Sequence, residues 1–187
     1  MRSQARSVRT LGIVAVALTL GSAVVGCAQR PGTAATVDDW RITESYLADT
    51  VREIAPLSAE PPTAQGTLSS LISAPSYLEV AEDNGAGVST QEAETFLASI
   101  AEQVGIDPDT EFADGVVLIA QVQVAQGKLQ QSGALDAAEQ ITERVTEADV
   151  ALNPRYGEWT DGQIQPTVFP WLITPEADSE TDAPEPS

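Results

Sequence analysis

Apolar side chains recur at helical spacing through most of the middle of the chain. The clearest stretch is Ala93, Phe96, Leu97, Ile100, Ala101 and Val104, all on one face of a helix. Ser89 and Glu92 ahead of it form a capping box, and Gly105 behind it suits a helix C-terminus. Asp107-Pro108 then predicts the start of a fourth helix, with Pro at its tolerated first position. Its run from Phe112 to Leu129 is apolar on most sides up to Val122, which predicts the central, most buried helix. Gly133 breaks it, and Leu135, Ala138, Ile141, Val145 and Ala148 predict a fifth helix. Upstream, Thr43 can cap a first helix bearing Leu47, Val51 and Ile54. Pro56, Pro61 and Pro62 stop it and predict a linker to about residue 65. Leu68, Leu71, Ile72, Leu78 and Ala81 predict a second helix, kinked or restarted at Pro75 and ended by Asn84 to Gly87.

Two short extended runs lie at opposite ends of this helical region. Val37 to Ile42 carries Asp38-Asp39 at its centre, a turn pair between two apolar-bearing arms. Val150 to Leu152 follows the fifth helix and leads into Asn153-Pro154-Arg155-Tyr156-Gly157. Neither run can satisfy its own backbone N–H and C=O groups, so the two are expected to pair. The fold expected is mainly α: a single helical domain of about five helices, with a small two-strand element joining its ends. Its expected limits are residues 36–173, with Pro166 and Pro170 keeping the stretch around Phe169 and Trp171 non-helical. From Thr174 onward the chain is small, acidic and proline-bearing, which predicts a disordered tail over 174–187. No internal repeat is visible.

The N-terminus has a different pattern. Arg2, Arg6 and Arg9 precede Leu11 to Val25, 15 residues without a charge. This is the layout of a secretory signal peptide, and it is short for a membrane span, which needs about 20 apolar residues. The stretch ends in Gly26-Cys27, and Cys27 is the only cysteine in the chain. A small residue followed by a lone Cys at that position resembles a bacterial lipobox. The resemblance implies a signal peptide over 1–26, cleavage before Cys27 and diacylglyceryl attachment to its thiol. Independently, a lone Cys in an exported protein has no disulfide partner. Ordinary cleavage after Ala28 is the competing reading, because Gly26-Cys27-Ala28 also fits a small-x-small site. Residues 27–35 are then the expected tether. The chain from Cys27 has six basic and 28 acidic residues, a net charge of −22. Such acidity is expected to hold the domain off an anionic membrane surface.

Composition excludes several chemistries. The chain has no histidine, so no His-based nucleophile system, proton shuttle or His-liganded metal site is available. A net charge of −19 over all 187 residues argues against nucleic-acid binding, which needs a positive footprint. Asp107, Asp109, Glu111 and Asp114 approximate a calcium loop, but Phe112 and Leu118 stand where that loop needs Gly and Glu. No phosphate-binding glycine pattern, Gly-x-Ser-x-Gly elbow or Ser-x-x-Lys occurs. The expectation is therefore a protein that is not an enzyme, with no catalytic residues, cofactor or metal.

Asn153 to Trp159 is the one dense, unusual segment. Arg155, Tyr156 and Trp159 form either a recognition patch, being favoured anchor types, or a turn that pins the C-terminal part to the domain. The order of lipobox, "AATVDDWRIT", helix, linker, four helices and "NPRYGEW" resembles the SurA-like lipoproteins of actinobacteria. These are similar to the N-terminal chaperone domain of the folding factor SurA and to the helical C-terminal domain of trigger factor. One departure is Asp38-Asp39, where that family often has Gly or Asn. No parvulin-type isomerase block is present besides the helices. The resemblance implies a chaperone-like lipoprotein, tethered to the extracytoplasmic face of the cell membrane through acylated Cys27, that binds unfolded or extended secreted polypeptides without ATP. Candidates for its apolar peptide-binding surface are Leu68, Leu71, Ile72, Phe96, Leu97 and Ile100, which fit a core equally well. The alternative is an envelope scaffold or accessory lipoprotein with one defined protein partner.

Overall fold

Asp38 reverses the chain just after its first strand. Its φ is 49°, in the left-handed region, and this turn joins β1 (Thr33–Val37) to β2 (Trp40–Thr43) as an antiparallel hairpin. Asp at this turn has a second effect. The Asp38 backbone N–H donates to Asp149 O at 2.8 Å, and its carboxylate accepts from Asp149 N–H at 3.1 Å. The turn is thereby tied to the start of β3 (Val150–Leu152), which pairs antiparallel with β1. The sheet order is β2-β1-β3, so the two ends of the domain meet in three strands, one more than expected.

The computed structural model describes residues 31–167. The expected signal peptide, Cys27, Phe169, Trp171 and the acidic tail lie outside the described residues. Within them the architecture is mainly α, with five helices and a small antiparallel sheet. Thr43 caps α1 (Glu44–Ile54), its side chain accepting from Tyr46 N–H. A single 3₁₀ turn, Ala55–Leu57, follows with Pro56 near its start. Next come α2 (Ala64–Asp83), α3 (Thr90–Val104), α4 (Asp114–Ser132) and α5 (Ala137–Glu147). After β3, a second hairpin forms from β4 (Glu158–Thr160) and β5 (Gln163–Gln165). The capping box at Ser89 and Glu92 forms as expected, and Gly105 closes α3 at φ 81°.

Four expectations need correction. Thr33, Ala34 and Ala35 are buried in β1, so the folded domain begins before residue 36. Pro75 neither breaks nor restarts α2. Its ring removes one backbone bond and crowds the preceding turn, a cost of roughly 3 kcal/mol in an isolated helix. Burial on both sides of it, by Leu68, Leu71 and Ile72 before and by Val80 and Ala81 after, holds the helix continuous. Asp107-Pro108 does not open α4. Asp107 instead accepts from Asp109 N–H in a local turn, and the helix starts at Asp114. Glu53 of α1 supplies the missing cap from 60 residues away, accepting from Ala113 N–H at 2.6 Å. Finally, α5 turns Ala137, Ile141 and Val145 inward, while Leu135 is 93% exposed and Ala138 faces solvent.

The core has three parts. Ala34, Ala35, Val37 and Ile42 of the sheet pack with Leu47, Leu68, Leu71 and Ile72. A second cluster joins Val80, Ala81, Ala125, Leu129, Ile141 and Val145 where α2, α4 and α5 meet. A third joins Ala93 and Leu97 of α3 to Val116 and Ala120 of α4. As predicted from its apolar breadth, α4 is central, packing against α1, α2 and α3, but it is not the most buried helix: α2 has more buried residues because the sheet covers it as well.

Candidate functional site

The third cluster is bordered by half-buried apolar side chains. A small apolar cleft opens there, about 60 Å³ in volume, between the end of α1, the 3₁₀ turn, α3 and α4. Leu97, Val116 and Ala120 form its buried floor, each no more than 4% exposed. Ile54, Leu57, Ile100 and Ile119 form its walls and are half-buried. Ser58 lies at the rim, but its hydroxyl already donates to Ile54 O at 3.0 Å. A cleft of this size admits one apolar side chain or a couple of waters. Phe96 is half-buried beside the same cluster, and Val104, further along α3, is 48% exposed.

Close approach of α1 and α4 places the walls. A Cβ on Gly115 would lie 2.0 Å from Thr50 Oγ1, so only glycine fits at this crossing. Thr50 is itself fixed, donating to Tyr46 O at 2.7 Å. Leu97 also separates the cleft from a second hollow of about 460 Å³, between α3 and residues 108–117. Phe112 and Val117 contribute apolar surface there, and Glu94, Asp109, Glu111 and Asp114 give it an acidic rim.

The charged groups near the site serve structure. Glu92 sits in the capping box and pairs with Lys128 at 2.7 Å. Hydrogen bonding from Lys128, then from Ser89, holds its carboxyl down at about 2. Burial pushes the Tyr46 hydroxyl up, and the charge of Asp114 adds to the shift. Neither group lines the cleft. Among the described residues no three of His, Cys, Asp and Glu are placed to hold a metal ion, the acids of 107–114 included.

The six apolar candidates divide. Leu97 and Ile100 line the cleft, and Phe96 borders it. Leu68, Leu71 and Ile72 do not. They are at most 2% exposed, because β1 packs on that face of α2 and Ala34, Ala35, Val37 and Ile42 share their cluster. A peptide could not reach them in the folded domain. Ile54, Leu57, Val116, Ile119 and Ala120 were missed as site residues. The breadth of the apolar run in α4 was the available signal, since a helix apolar on most sides must meet partners on each.

Arg155 and Tyr156 stack on one another in a turn, and the rings of Tyr156 and Trp159 are half-buried against the core. Asn153 organises the turn before them. Its amide donates to Thr33 O at 2.9 Å, its backbone N–H donates to Ala34 O, and its side-chain oxygen accepts from Arg155 N–H. Tyr156 packs on the sheet cluster, and Trp159 bridges that cluster and the second one. Arg155 is exposed, pairs with Glu44 at 2.9 Å and lies over the Tyr156 ring at 5.2 Å. Among the described residues no helix is long and apolar enough to cross a membrane. No protein-family model matches the chain, and comparison with curated proteins and with solved structures gives no significant match.

Proposed function

We propose that this protein is a membrane-tethered, extracytoplasmic chaperone-like lipoprotein that holds extended or partly unfolded secreted chains without ATP. The observation that carries this reading is the half-covered apolar cleft walled by Ile54, Leu57, Ile100 and Ile119. Buried apolar side chains contribute about 25 cal/mol per Å² removed from water. One client side chain seated there would gain a modest, non-directional affinity, which suits capture and release of varied sequences. The acidic surroundings keep the loaded protein soluble. The lipobox-like Gly26-Cys27 supports the tether, and two acyl chains give stable anchoring where one gives marginal binding.

The test is breadth of clients. The purified protein should suppress aggregation of several unrelated unfolded proteins, and Ile100→Asp should weaken that activity while the domain still unfolds cooperatively in a thermal melt. Recovery of one stable partner, with no effect on denatured clients, would replace this reading with the envelope-scaffold one. For the tether, Cys27→Ser should move the protein out of the membrane fraction. Unchanged fractionation of that variant removes the lipoprotein reading.

A further inference from the structure

The apolar cleft differs in charge from three other hollows of this surface. The hollow of about 460 Å³ between α3 and residues 108–117 is lined by Glu94, Asp109, Glu111 and Asp114. Another, also about 460 Å³, lies between α2 and Gly87-Val88 and is lined by Glu79 and Glu82. A third, along the exposed face of α5, is lined by Glu139, Glu143 and Glu147. The cleft between α1, the 3₁₀ turn, α3 and α4 has no ionisable side chain in its lining. In a chain with 28 acidic and nine basic residues, that exception selects a neutral occupant. A cation would gain more at the acidic hollows. A charge of either sign would lose water in the cleft and find no partner there.

Two polar side chains complete the lining, Ser58 and Gln123. The Ser58 hydroxyl is committed, donating to Ile54 O. Gln123 is exposed and stands one helical turn beyond Ile119, on the same face of α4. Gln121, two residues earlier, donates to Val88 O at 3.3 Å, whereas the Gln123 carboxamide is paired with no group among the described residues. A carboxamide offers an acceptor oxygen and two N–H donors, the complement of a peptide group. A client side chain seated between Ile100 and Ile119 carries its own backbone to this rim. In an extended chain the flanking side chains point the other way, so the peptide group of the seated residue is what the rim meets. Covered and left unpaired, its N–H and C=O would oppose binding.

We propose that the cleft takes a neutral, extended polypeptide segment, with one aliphatic side chain on the floor of Leu97, Val116 and Ala120 and the peptide group of that same residue hydrogen-bonded by Gln123. This rests on the reading of the cleft as a site for unfolded chains, and it names the ligand. Every polypeptide carries the group that Gln123 binds, so only the anchored position is selected by side chain. Unrelated clients therefore fit through any uncharged stretch that contains an aliphatic residue, and charged stretches do not.

The experiment titrates the full chain, isotope-labelled at its isoleucine methyl groups, with the blocked heptapeptide Ser-Gly-Ser-Leu-Ser-Gly-Ser. Ile54, Ile100 and Ile119 report the cleft, and Ile42 and Ile72, buried in the sheet cluster, report the fold. The peptide should shift the three cleft methyls and leave the other two in place. An analogue with the leucine N–H replaced by an ester oxygen should bind about two- to tenfold more weakly, the range for one hydrogen bond. A third peptide, with lysine in place of leucine, should shift none of them. Gln123→Ala should erase the difference between peptide and ester while the cleft shifts persist. Position 123 is exposed and Ala is the best helix former, so this variant keeps the fold. A preference for peptide over ester that survives Gln123→Ala, or that the native chain lacks, overturns the role of Gln123 and leaves the apolar cleft standing. A lysine peptide that shifts the cleft methyls as leucine does overturns the neutral ligand. If none of the three peptides moves those methyls, the cleft is not a peptide site, and the proposed function falls with this inference.

Discussion

Leu71 and Ile100 both lie on the apolar faces of their helices, yet Leu71 is wholly buried and Ile100 is partly exposed. The difference lies in what covers each helix. α2 lies against β1 and also packs against α1, α4 and α5, so its apolar face is sealed. α3 packs mainly against α4 and a one-turn 3₁₀ helix, so part of its apolar face stays open. Periodicity marks which face of a helix is apolar. Long-range partners decide whether that face becomes core or binding surface.

The largest expected effect comes from removing the cover. A chain ending at Ala148 loses β3, the Asn153 turn and the β4–β5 hairpin, which leaves the paired edge of β1 and its burial open. It should lose cooperative unfolding, and amide exchange over residues 37–42 should become fast. Removing only 174–187 should leave both unchanged, because that tail has no apolar residue larger than Ala to bury.

Paired truncations of side chains sharpen the contrast. Leu71→Ala should cost about 2–5 kcal/mol in denaturant unfolding, as buried leucines do. Ile100→Ala should cost less, about 1–2 kcal/mol, since part of its side chain is already in water. Equal costs would mean that the two helices are equally covered.

The α1–α4 crossing joins the two regions, and Gly115 sets its spacing. Gly115→Ala should destabilise by about 1–3 kcal/mol despite the better helix propensity of Ala, through overpacking against Thr50. Thr50→Ala in the same chain should restore part of the loss, which a double-mutant cycle on the melts would show.

The smallest effect concerns the start of α3. The Glu92 carboxyl titrates near 2 in the folded protein against an ordinary 4.5. A depressed carboxylate contributes stability that is present above about 4.5 and lost as pH falls toward 2. Acid titration of Glu92→Gln should therefore be flatter over that window than that of the native chain. Because Glu92 is solvent-exposed, the difference should be small and should shrink further with salt.

Local chemistry made much of the fold legible. The Ser89–Glu92 box, the Gly105 stop, the Thr43 cap and the pairing of the terminal segments all follow from residues close in sequence or from backbone groups needing partners. The misread points share a cause, a partner distant in the chain. The start of α4 depends on Glu53, the continuity of α2 through Pro75 depends on packing at both of its ends, and the phase of α5 depends on α2 and Trp159. The site was half legible for the same reason. Leu97 and Ile100 announced themselves by spacing, but Ile54 and Leu57 join them only through the turn that follows α1. Nothing in the pattern of α2 revealed that a sheet would cover Leu68, Leu71 and Ile72.

Hydrogen exchange of the protein with and without an unfolded, reduced client tests the central claim most directly. Client binding should add protection around residues 54–58, 96–104 and 116–123, and leave the β1–β3 pairing unaltered. Protection appearing only at the sheet, or none in the presence of excess client, would contradict the account.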